Sequence, residues 1–286
     1  MNTAVRKSLE MPVFRSRVTN TANDTAPVIP IRPTETDDQI SARIRDRFSI
    51  LGDLVDMVID GGARSLIISG PAGIGKSYTV EERVSSLDDG SFVISKGFIR
   101  PTGLYKLLFE YRAPNQVIVM DDSDCVFYDE ISLNLIKAAS DTTERRNISW
   151  RAETNMKDEG GEPLPTSFDF EGALIFITNK NFDAMIASKD RMAPHYEALV
   201  SRSFYIDFIL QDRREYFIRI KDVVYNEGML SDRLTGDQIN QVMEYISDNL
   251  ENLREVSLRI ALKISNTIKS NPHNWQKMCN VTCCKK

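Results

Sequence analysis

The sequence contains no apolar run of about 18 residues, the length that a membrane-spanning helix requires, so we expect no membrane partner. We also expect no secretory signal, because no apolar segment follows the first charged residues. Cysteine is scarce, with 4 in 286 residues, and the spacing does not suggest a disulfide framework. A zinc site that joins His273 to the C-terminal cysteines matches no common ligand spacing. These absences predict a cytoplasmic protein with reduced thiols.

A large positive charge is also absent. The chain has 36 basic and 41 acidic residues, and its net charge of −5 argues against a protein that coats nucleic acid through a global positive field. A local basic patch is still compatible with this balance. The hydrophobic fraction of 42% and the charged fraction of 27% are typical of a globular protein with one large domain or two modest ones.

The pattern of apolar residues divides the chain into three parts. Residues 1–38 have few aromatics and no sustained period, which predicts a disordered, slightly basic arm that is either a flexible leader or a partner-binding tail. Residues 39–210 open with one or two amphipathic helices and then alternate helical patterns with short apolar runs. Residues 211–286 carry only helical patterns, which predict a small helical domain.

Five short apolar runs predict buried strands, at residues 65–69, 91–95, 117–120, 173–177 and 204–208. Because helical patterns separate them, we expect a parallel sheet covered by helices on both faces. In the C-terminal part, one helix is predicted to begin near Asn252, where Asn252 and Glu255 have capping-box spacing. The last helix is predicted to open at Asn271-Pro272 and to bury Trp275.

The most informative motif is a phosphate-binding loop, G-x-x-x-x-G-K-[ST], at residues 70–77. It lies between a predicted strand and a predicted helix, whose N-terminal dipole favours phosphate. Lys76 can reach the β- and γ-phosphates, and the Ser77 hydroxyl can ligate Mg²⁺. A glycine-rich surface turn is the disfavoured alternative. The predicted nucleotide-binding residues are Gly70, Pro71, Ala72, Gly73, Ile74, Gly75, Lys76, Ser77 and Tyr78.

A pair of aspartates follows the third predicted strand, about 45 residues after the phosphate loop. The carboxyl ends of parallel strands share one edge of a sheet, so Asp121 is expected to hold Mg²⁺ there, usually through water. Asp122 is placed to polarise an attacking water, and Asp124 is the alternative for that role. Acids in a solvated turn are the competing interpretation.

Three further positions are candidate site residues. Asn179 follows the fourth predicted strand and could contact the γ-phosphate or orient water, although asparagine is also common in turns. Arg202, before the fifth strand, could reach the nucleotide of a neighbouring subunit, or form a surface salt bridge. In the helical part, Arg259 and Arg254 compete for contact with the γ-phosphate, and Arg259 is preferred.

This ordered set resembles the AAA+ ATPase superfamily over residues 40–286. In family terms, residues 70–77 match Walker A, Asp121-Asp122 Walker B, Asn179 sensor 1, Arg202 the arginine finger, and Arg259 or Arg254 sensor 2. The resemblance implies an α/β fold with a five-stranded parallel sheet of order 5-1-4-3-2, followed by an all-helical lid. It also implies a homo-oligomer, a ring or partial ring, with ATP between subunits.

Two short motifs make the resemblance more specific. Ser201-Arg202 and Ser257-Leu258-Arg259 look like clamp-loader motifs. The overall residue pattern is similar to that of uncharacterised AAA+ ATPases of bacteriophage genomes, which implies the host cytoplasm as the place of action.

The sequence departs from the family pattern in two places. The second Walker B acid is usually glutamate, whereas Asp122 is one methylene shorter, which implies slow hydrolysis or a share for Asp124. An insertion at residues 145–172 has flanks that alternate around Gly160-Gly161, which predicts a β-hairpin. Similar hairpins in some AAA+ helicases touch DNA, and the residue types suited to that are Arg145, Arg146, Trp150 and Arg151.

These observations predict an ATP hydrolase, converting ATP to ADP and phosphate, that remodels or moves DNA or a DNA-bound protein. The alternative is a loader or adaptor in which ATP acts as a switch with minimal turnover. A small-molecule kinase is disfavoured because the asparagine and arginine series would have no use there.

Overall fold

The computed structural model describes residues 35–152, 156–158 and 160–285. The predicted N-terminal arm therefore lies outside the described residues, apart from its last four positions. Helix α1 (Asp37–Ile59) begins before the predicted boundary at residue 39. Its start is fixed by a capping box, in which the Thr36 hydroxyl accepts from the Gln39 amide and the Gln39 side chain accepts from the Thr36 amide.

The elements that follow, as far as residue 207, are strands interspersed with helices. In chain order they are β1 (Ser65–Ser69), α2 (Lys76–Val84), β2 (Phe92–Lys96), α3 (Pro101–Glu110), β3 (Val117–Asp121), a 3₁₀ helix (Asp124–Phe127), α4 (Glu130–Ala139), β4 (Asn147–Ser149), β5 (Ser167–Asp169), β6 (Ala173–Thr178), α5 (Phe182–Ala187), α6 (Ala193–Val200) and β7 (Phe204–Asp207). Four helices complete the described chain: α7 (Arg213–Tyr225), α8 (Gly236–Asp248), α9 (Leu258–Ser270) and α10 (Trp275–Thr282).

The main sheet has five parallel strands in the order β2-β3-β6-β1-β7. The predicted order, 5-1-4-3-2, assumed that the chain has five strands, and it differs from the observed numbering. The difference arises because the short strands β4 and β5 lie between β3 and β6 in the chain and form a separate two-stranded sheet. Counted along the main sheet alone, β7, β1, β6, β3 and β2 are its fifth, first, fourth, third and second strands.

Alternate residues of the central strands feed two hydrophobic cores, one on each face of the sheet. Ile67, Ile118 and Phe176 pack on one face against α3, α4, α5 and α6. Leu66, Val119 and Ile175 pack on the other face against α1 and α2. Strands β1, β3 and β6 are buried along their whole length, which explains why each reads as a continuous apolar run. The buried core fixes where each strand ends, and so fixes the edge that carries the polar residues.

Helices α7 to α10 enclose a third core, in which Tyr245 stacks edge-on against Trp275 with ring centroids 5.4 Å apart. The helix predicted near Asn252 begins later, at Leu258, so the capping-box prediction was wrong. The chain around Asn252 is instead held by the C-terminal segment: the Arg254 amide donates to the Cys283 carbonyl at 2.8 Å, and the Lys285 amide donates to the Asn252 carbonyl at 2.7 Å. This pairing occupies the backbone groups that a helix would use.

The described helices include none that combines the length and the apolar character needed to cross a bilayer. All four cysteines are free, and the three C-terminal ones are buried.

Strands β4 and β5 pair antiparallel within the predicted hairpin, with Ile148 opposite Phe168. Of the four side chains suited to DNA contact, one is buried and another is half-buried. Arg146 is buried and donates to the carbonyls of Ala139 and Gly172 at 2.7 and 2.9 Å, and Trp150 packs on Tyr105. The expectation for Arg146 is corrected because this cation at the hairpin base satisfies carbonyls inside the fold rather than facing solvent.

Candidate functional site

The phosphate loop joins the end of β1 to the start of α2. Three of its glycines have positive φ angles: 145° at Gly70, 73° at Gly73 and 111° at Gly75. Side chains other than glycine rarely adopt these conformations, so the motif's glycines are required by the backbone path. A Cβ atom on Gly73 would also lie 2.8 Å from the Cβ of Ser257. The loop is therefore both sharply turned and closely covered by the start of α9.

Lys76 is the central cation of this loop, and it is buried, with 5% of its surface exposed. Its ammonium group donates to the carbonyls of Gly70 and Pro71 at 2.6 and 2.8 Å and to Oδ1 of Asn179 at 3.2 Å. Burial lowers the pKa of Lys76 to about 8, while the nearby carboxylates of Asp122 and Asp121 act in the opposite direction. A desolvated cation at the end of a glycine loop is suited to binding an anion.

Ser77 and Asp121 meet beside the loop, where the Ser77 hydroxyl donates to Oδ1 of Asp121 at 3.0 Å. The other carboxylate oxygen of Asp121 lies 3.4 Å from Nζ of Lys96, which also pairs with Glu81. The prediction from sequence missed Lys96 because the run of strand residues was ended one position too early. Lys96 is the last residue of β2 and stands opposite Asp121 in the sheet register. A hydroxyl and a carboxylate at this distance are a donor set suited to Mg²⁺.

Asp122 has a backbone conformation that is uncommon for a residue with a side chain, with φ of 54°. In this conformation, Oδ1 of Asp122 accepts from the side-chain nitrogen Nδ2 of Asn179 at 3.1 Å. The side-chain oxygen of the same Asn179 accepts from Lys76. Asp124 is used differently, because its Oδ1 accepts from the Thr178 hydroxyl at 2.5 Å. The contacts thus separate the two acids, and only Asp122 is joined to the loop lysine through Asn179.

The loop, the two aspartates that follow β3 and Asn179 line one cavity of about 610 Å³, between the strand ends and the helical part. Of the predicted residues, its walls include Ala72, Gly73, Gly75, Lys76, Ser77, Tyr78, Asp121, Asp122, Asn179 and Arg259. Gly70, Pro71 and Ile74 belong to the loop but are not among the cavity's lining residues. The two arginine candidates of the helical part are also distinguished: Arg259 lines the cavity, whereas Arg254 is exposed and is not among the lining residues.

Arg202 is not brought to this cavity. It lies just after the end of α6, where its guanidinium donates to the Ala198 carbonyl at 2.8 Å. Two other basic side chains lie on α4 and α6: Nζ of Lys137 is 3.1 Å from Nδ1 of His195. The pKa of Lys137 is lowered, chiefly by burial and then by the charge of Arg202. Within the described residues, no carboxylate forms a salt bridge with Lys137 or Arg202.

Arg219 is a cavity residue that the sequence prediction missed. It lies on α7, is 4% exposed, and donates through Nε to the Ile74 carbonyl at 3.2 Å. A signal was present in the sequence, because Glu215, Arg219 and Asp222 recur at helical spacing. In the structure all three are buried. Charged residues on the buried face of an amphipathic helix require partners, and here one partner is the phosphate loop.

The residues fit a magnesium-bound nucleoside triphosphate. The loop supplies glycines with positive φ and a buried ammonium group, as phosphate binding requires. Among the described residues there is no group of three or more His, Cys, Asp or Glu side chains that could hold a metal by itself. Mg²⁺ is usually bound by one or two protein oxygens together with phosphate oxygens and water, and the adjacent oxygens of Ser77 and Asp121 could supply two protein oxygens.

Comparison with solved structures gives distant likenesses. NtrX from Brucella abortus, in a complex with ATP, has a TM-score of 0.45 and 12% identity, over 90% of this chain and 54% of that one. A single-residue variant of RuvB from Thermotoga maritima has a TM-score of 0.45 and 13% identity, over 82% of this chain and 63% of that one. The chain thus spans between about half and two thirds of their lengths, and the likeness does not define a function.

The fold and the loop define an α/β protein with a parallel sheet and a phosphate-binding loop. No protein-family model matches the chain. It is 35% identical over 248 residues to an uncharacterised 36.7 kDa protein of the nrdC-mobD intergenic region of Enterobacteria phage T4, a match that covers 85% of this chain and 75% of the phage protein. The chain belongs to the family of that phage T4 protein, and the predicted similarity to an uncharacterised bacteriophage protein is confirmed.

Proposed function

We propose that this protein binds ATP with Mg²⁺ and hydrolyses it to ADP and phosphate, as an ATPase of the AAA+ type. The observation that supports this most strongly is the chain of contacts from Lys76 through Asn179 to Asp122 at one cavity. A buried cation, a neutral amide and an exposed carboxylate, joined in this order, supply an anion contact, a water-orienting group and a base.

The residues proposed to hold the ligands follow from their chemistry. Lys76 and the backbone N–H groups of residues 72–77 would hold the phosphates, and Ser77 and Asp121 would hold Mg²⁺. When bound, ATP supplies the phosphoanhydride bond and Mg²⁺ offsets the charge of its phosphates. Lys96, now beside Asp121, would give up that contact because a divalent cation binds the carboxylate more strongly.

Asp122 would accept the proton of the attacking water, and Asn179 would orient the Asp122 carboxylate and the water. Asp122 is preferred to Asp124 because Asp122 lines the cavity, whereas Asp124 is held by Thr178. The strained backbone of Asp122 supports the same assignment, since such strain recurs at functional sites. Arg259 is preferred to Arg254 as the arginine that contacts the γ-phosphate.

Arg202 is proposed to act on the nucleotide of a neighbouring copy, in a ring or partial ring. Its distance from the chain's own cavity and the absence of a carboxylate partner among the described residues support this role. Residues 39–210 would form the ATPase domain, and residues 211–286 would act as its lid. The clamp-loader-like pair Ser201-Arg202 stays a prediction.

DNA or a DNA-bound protein is proposed as the remodelled partner on the family resemblance alone. The hairpin gives this little support, since Arg146 is buried, Trp150 is half-buried against Tyr105, and Arg145 pairs with Asp169. A phage relative makes the host cytoplasm the proposed place of action.

The second candidate function is a nucleotide-dependent loader or adaptor with minimal turnover. The length of the Asp122 side chain favours it, because an aspartate reaches less far than the usual glutamate. Chemically, the two candidates differ only in whether bound ATP is turned over.

One experiment decides between them. ATP binding is measured by calorimetry and turnover by phosphate release, for the wild type, Asp122→Asn and Asp124→Asn, with and without single-stranded DNA. We expect Asp122→Asn to keep ATP affinity within about threefold and to lower turnover about 100-fold, the scale of a lost general base. Asp124→Asn should lower turnover much less.

Tight ATP binding by the wild type with negligible turnover would support the switch. An absence of ATP binding by the wild type would overturn both candidates. Turnover lost in Asp124→Asn and kept in Asp122→Asn would transfer the role of base to Asp124.

A further inference from the structure

Two successive carbonyl groups of the phosphate loop accept hydrogen bonds from the helical part. The amide of Leu258, the first residue of α9, donates to the Gly73 carbonyl at 2.8 Å. The guanidinium of Arg219 donates to the Ile74 carbonyl at 3.2 Å. A phosphate loop binds its ligand through the orientation of these same peptide units. Any rotation of the units would therefore change the hydrogen bonds to α9 and α7.

The Arg219 side chain is tied to more than the loop. Its guanidinium carbon lies 3.9 Å from the centroid of the Phe48 ring on α1, and Nη1 contacts Glu227 at 2.8 Å and Asp222 at 3.3 Å. Asp222 is itself held by Asn226 at 2.7 Å. One side chain therefore joins α1, the phosphate loop and the connection between α7 and α8.

The third glycine of the motif lies next to this contact. A Cβ atom on Gly75 would lie 3.4 Å from Nη2 of Arg219, at the limit of ordinary van der Waals contact. A planar guanidinium can stack on a ring, pair with two carboxylates and bond to a carbonyl at once, which a lysine ammonium cannot do. The carboxylates of Asp222 and Glu227 pair with this buried cation and replace part of the water that it loses.

We propose that Arg219 is a positioning residue that joins the phosphate loop to the helical part, so that the two change position together. Arg219 would act on the phosphate loop through the Ile74 peptide. For its consequence, the coupling of ATP binding to lid movement, this inference rests on the proposed function. The physical link itself does not depend on a nucleotide.

The Leu258 amide reports on this link directly, because its acceptor is the neighbouring loop carbonyl. Hydrogen exchange of that amide is measured in the nucleotide-free, full-length protein. We expect Arg219→Gln to speed its exchange at least tenfold, since the loop would lose the second of two anchors. Arg219→Lys keeps the charge but lacks the planar guanidinium, and should give an intermediate increase in the exchange rate.

Arg213→Gln is the matched control. Arg213 lies on the same helix and also donates to two carbonyls, those of Leu250 and Leu253 at 2.6 and 2.9 Å, but both lie within the helical part. Its loss should lower the melting temperature and leave the Leu258 amide within twofold of the wild type. If Arg219→Gln does not fold, Glu227→Gln tests the same link, because Glu227 is the partly exposed partner of Arg219.

ATP affinity provides the second readout. Arg219→Gln should weaken ATP binding about tenfold at a temperature where both variants are folded, whereas Arg213→Gln should not. Leu258 exchange that is unchanged in folded Arg219 variants, or that rises equally in Arg213→Gln, would overturn the inference. A wild type that binds no ATP would overturn the proposed function alone, because the exchange readout still decides the role of Arg219.

Discussion

Lys76 and Arg146 are both buried cations that donate to backbone carbonyls, yet their surroundings differ. Lys76 lines a cavity and faces the carboxylates of two strand-end aspartates. Arg146 does not line that cavity; it joins the end of α4 to Gly172, and its guanidinium carbon lies 5.1 Å from the centroid of the Phe170 ring. A buried cation that lines a cavity is available to a ligand, whereas one enclosed by carbonyls and a ring serves the fold.

The largest expected effect is on ligand binding. Lys76→Met should weaken ATP binding more than 100-fold, equivalent to roughly 3 kcal/mol, because the loop loses its only side-chain cation for the phosphates. The free energy of unfolding of the nucleotide-free protein should change by less than about 1 kcal/mol, since removing a desolvated charge offsets the lost hydrogen bonds. Calorimetry and urea unfolding measure the two quantities.

Lys157→Met is the control for this prediction, because Lys157 is an exposed lysine of the hairpin segment. It should bind ATP as the wild type does. ATP affinity retained in Lys76→Met would remove the distinction drawn between the two cations.

The second effect is on stability. Arg146→Met should lower the free energy of unfolding by about 2 to 3 kcal/mol, because two buried carbonyls lose a charged donor. ATP affinity, measured below the melting transition, should stay within twofold of the wild type. Urea unfolding and calorimetry test both parts.

Arg145→Met is the matched control, since the neighbouring Arg145 is exposed and pairs with Asp169 on the surface. Its unfolding should be close to that of the wild type. A loss of ATP affinity in folded Arg146→Met would show that the hairpin supports the site after all.

The smallest effect concerns pH. The folded-state pKa of Lys76 is about 8, below its ordinary value of 10.5, so between these values the unfolded chain binds the extra proton. Stability contributed at this site should therefore rise with pH in that window. From pH 7.5 to 9, the nucleotide-free wild type should gain roughly 1 kcal/mol relative to Lys76→Met.

The comparison with Lys76→Met removes the effect of other groups that titrate nearby. Burial raises the pKa of Cys279 to about 11, which lowers stability as pH rises from about 9 and has the opposite sign. A pH dependence that is the same in the two proteins would show that the Lys76 ammonium is not desolvated in solution.

The sheet and its polar edge could be predicted from the sequence because the relevant signals are local. Five apolar runs, a glycine-rich loop and acids after a strand each depend on a few consecutive residues. The strands at Val117–Asp121 and Ala173–Thr178 were predicted within one residue of their observed bounds. Parallel pairing then brings their ends to one edge without further information.

The errors occurred where a residue's partner is distant in sequence. Asn252 looked like a helix cap, but the C-terminal segment pairs with the chain around it. Arg146 looked like a DNA contact, but carbonyls 7 and 26 residues away surround it. Arg219 belongs to no local motif, because its acceptor, the Ile74 carbonyl, is 145 residues distant in the sequence. None of these partners can be inferred from local spacing.

The sequence by itself determined the loop, the strand ends and which polar residues stand at the sheet edge, because glycine conformations and apolar periods are properties of short segments. Only the tertiary structure decided which acid faces the cavity, which arginine enters it, and which cations serve packing. Those choices depend on how far each charged group is removed from water and what replaces the water around it, and that is settled by elements that meet only after the chain has folded.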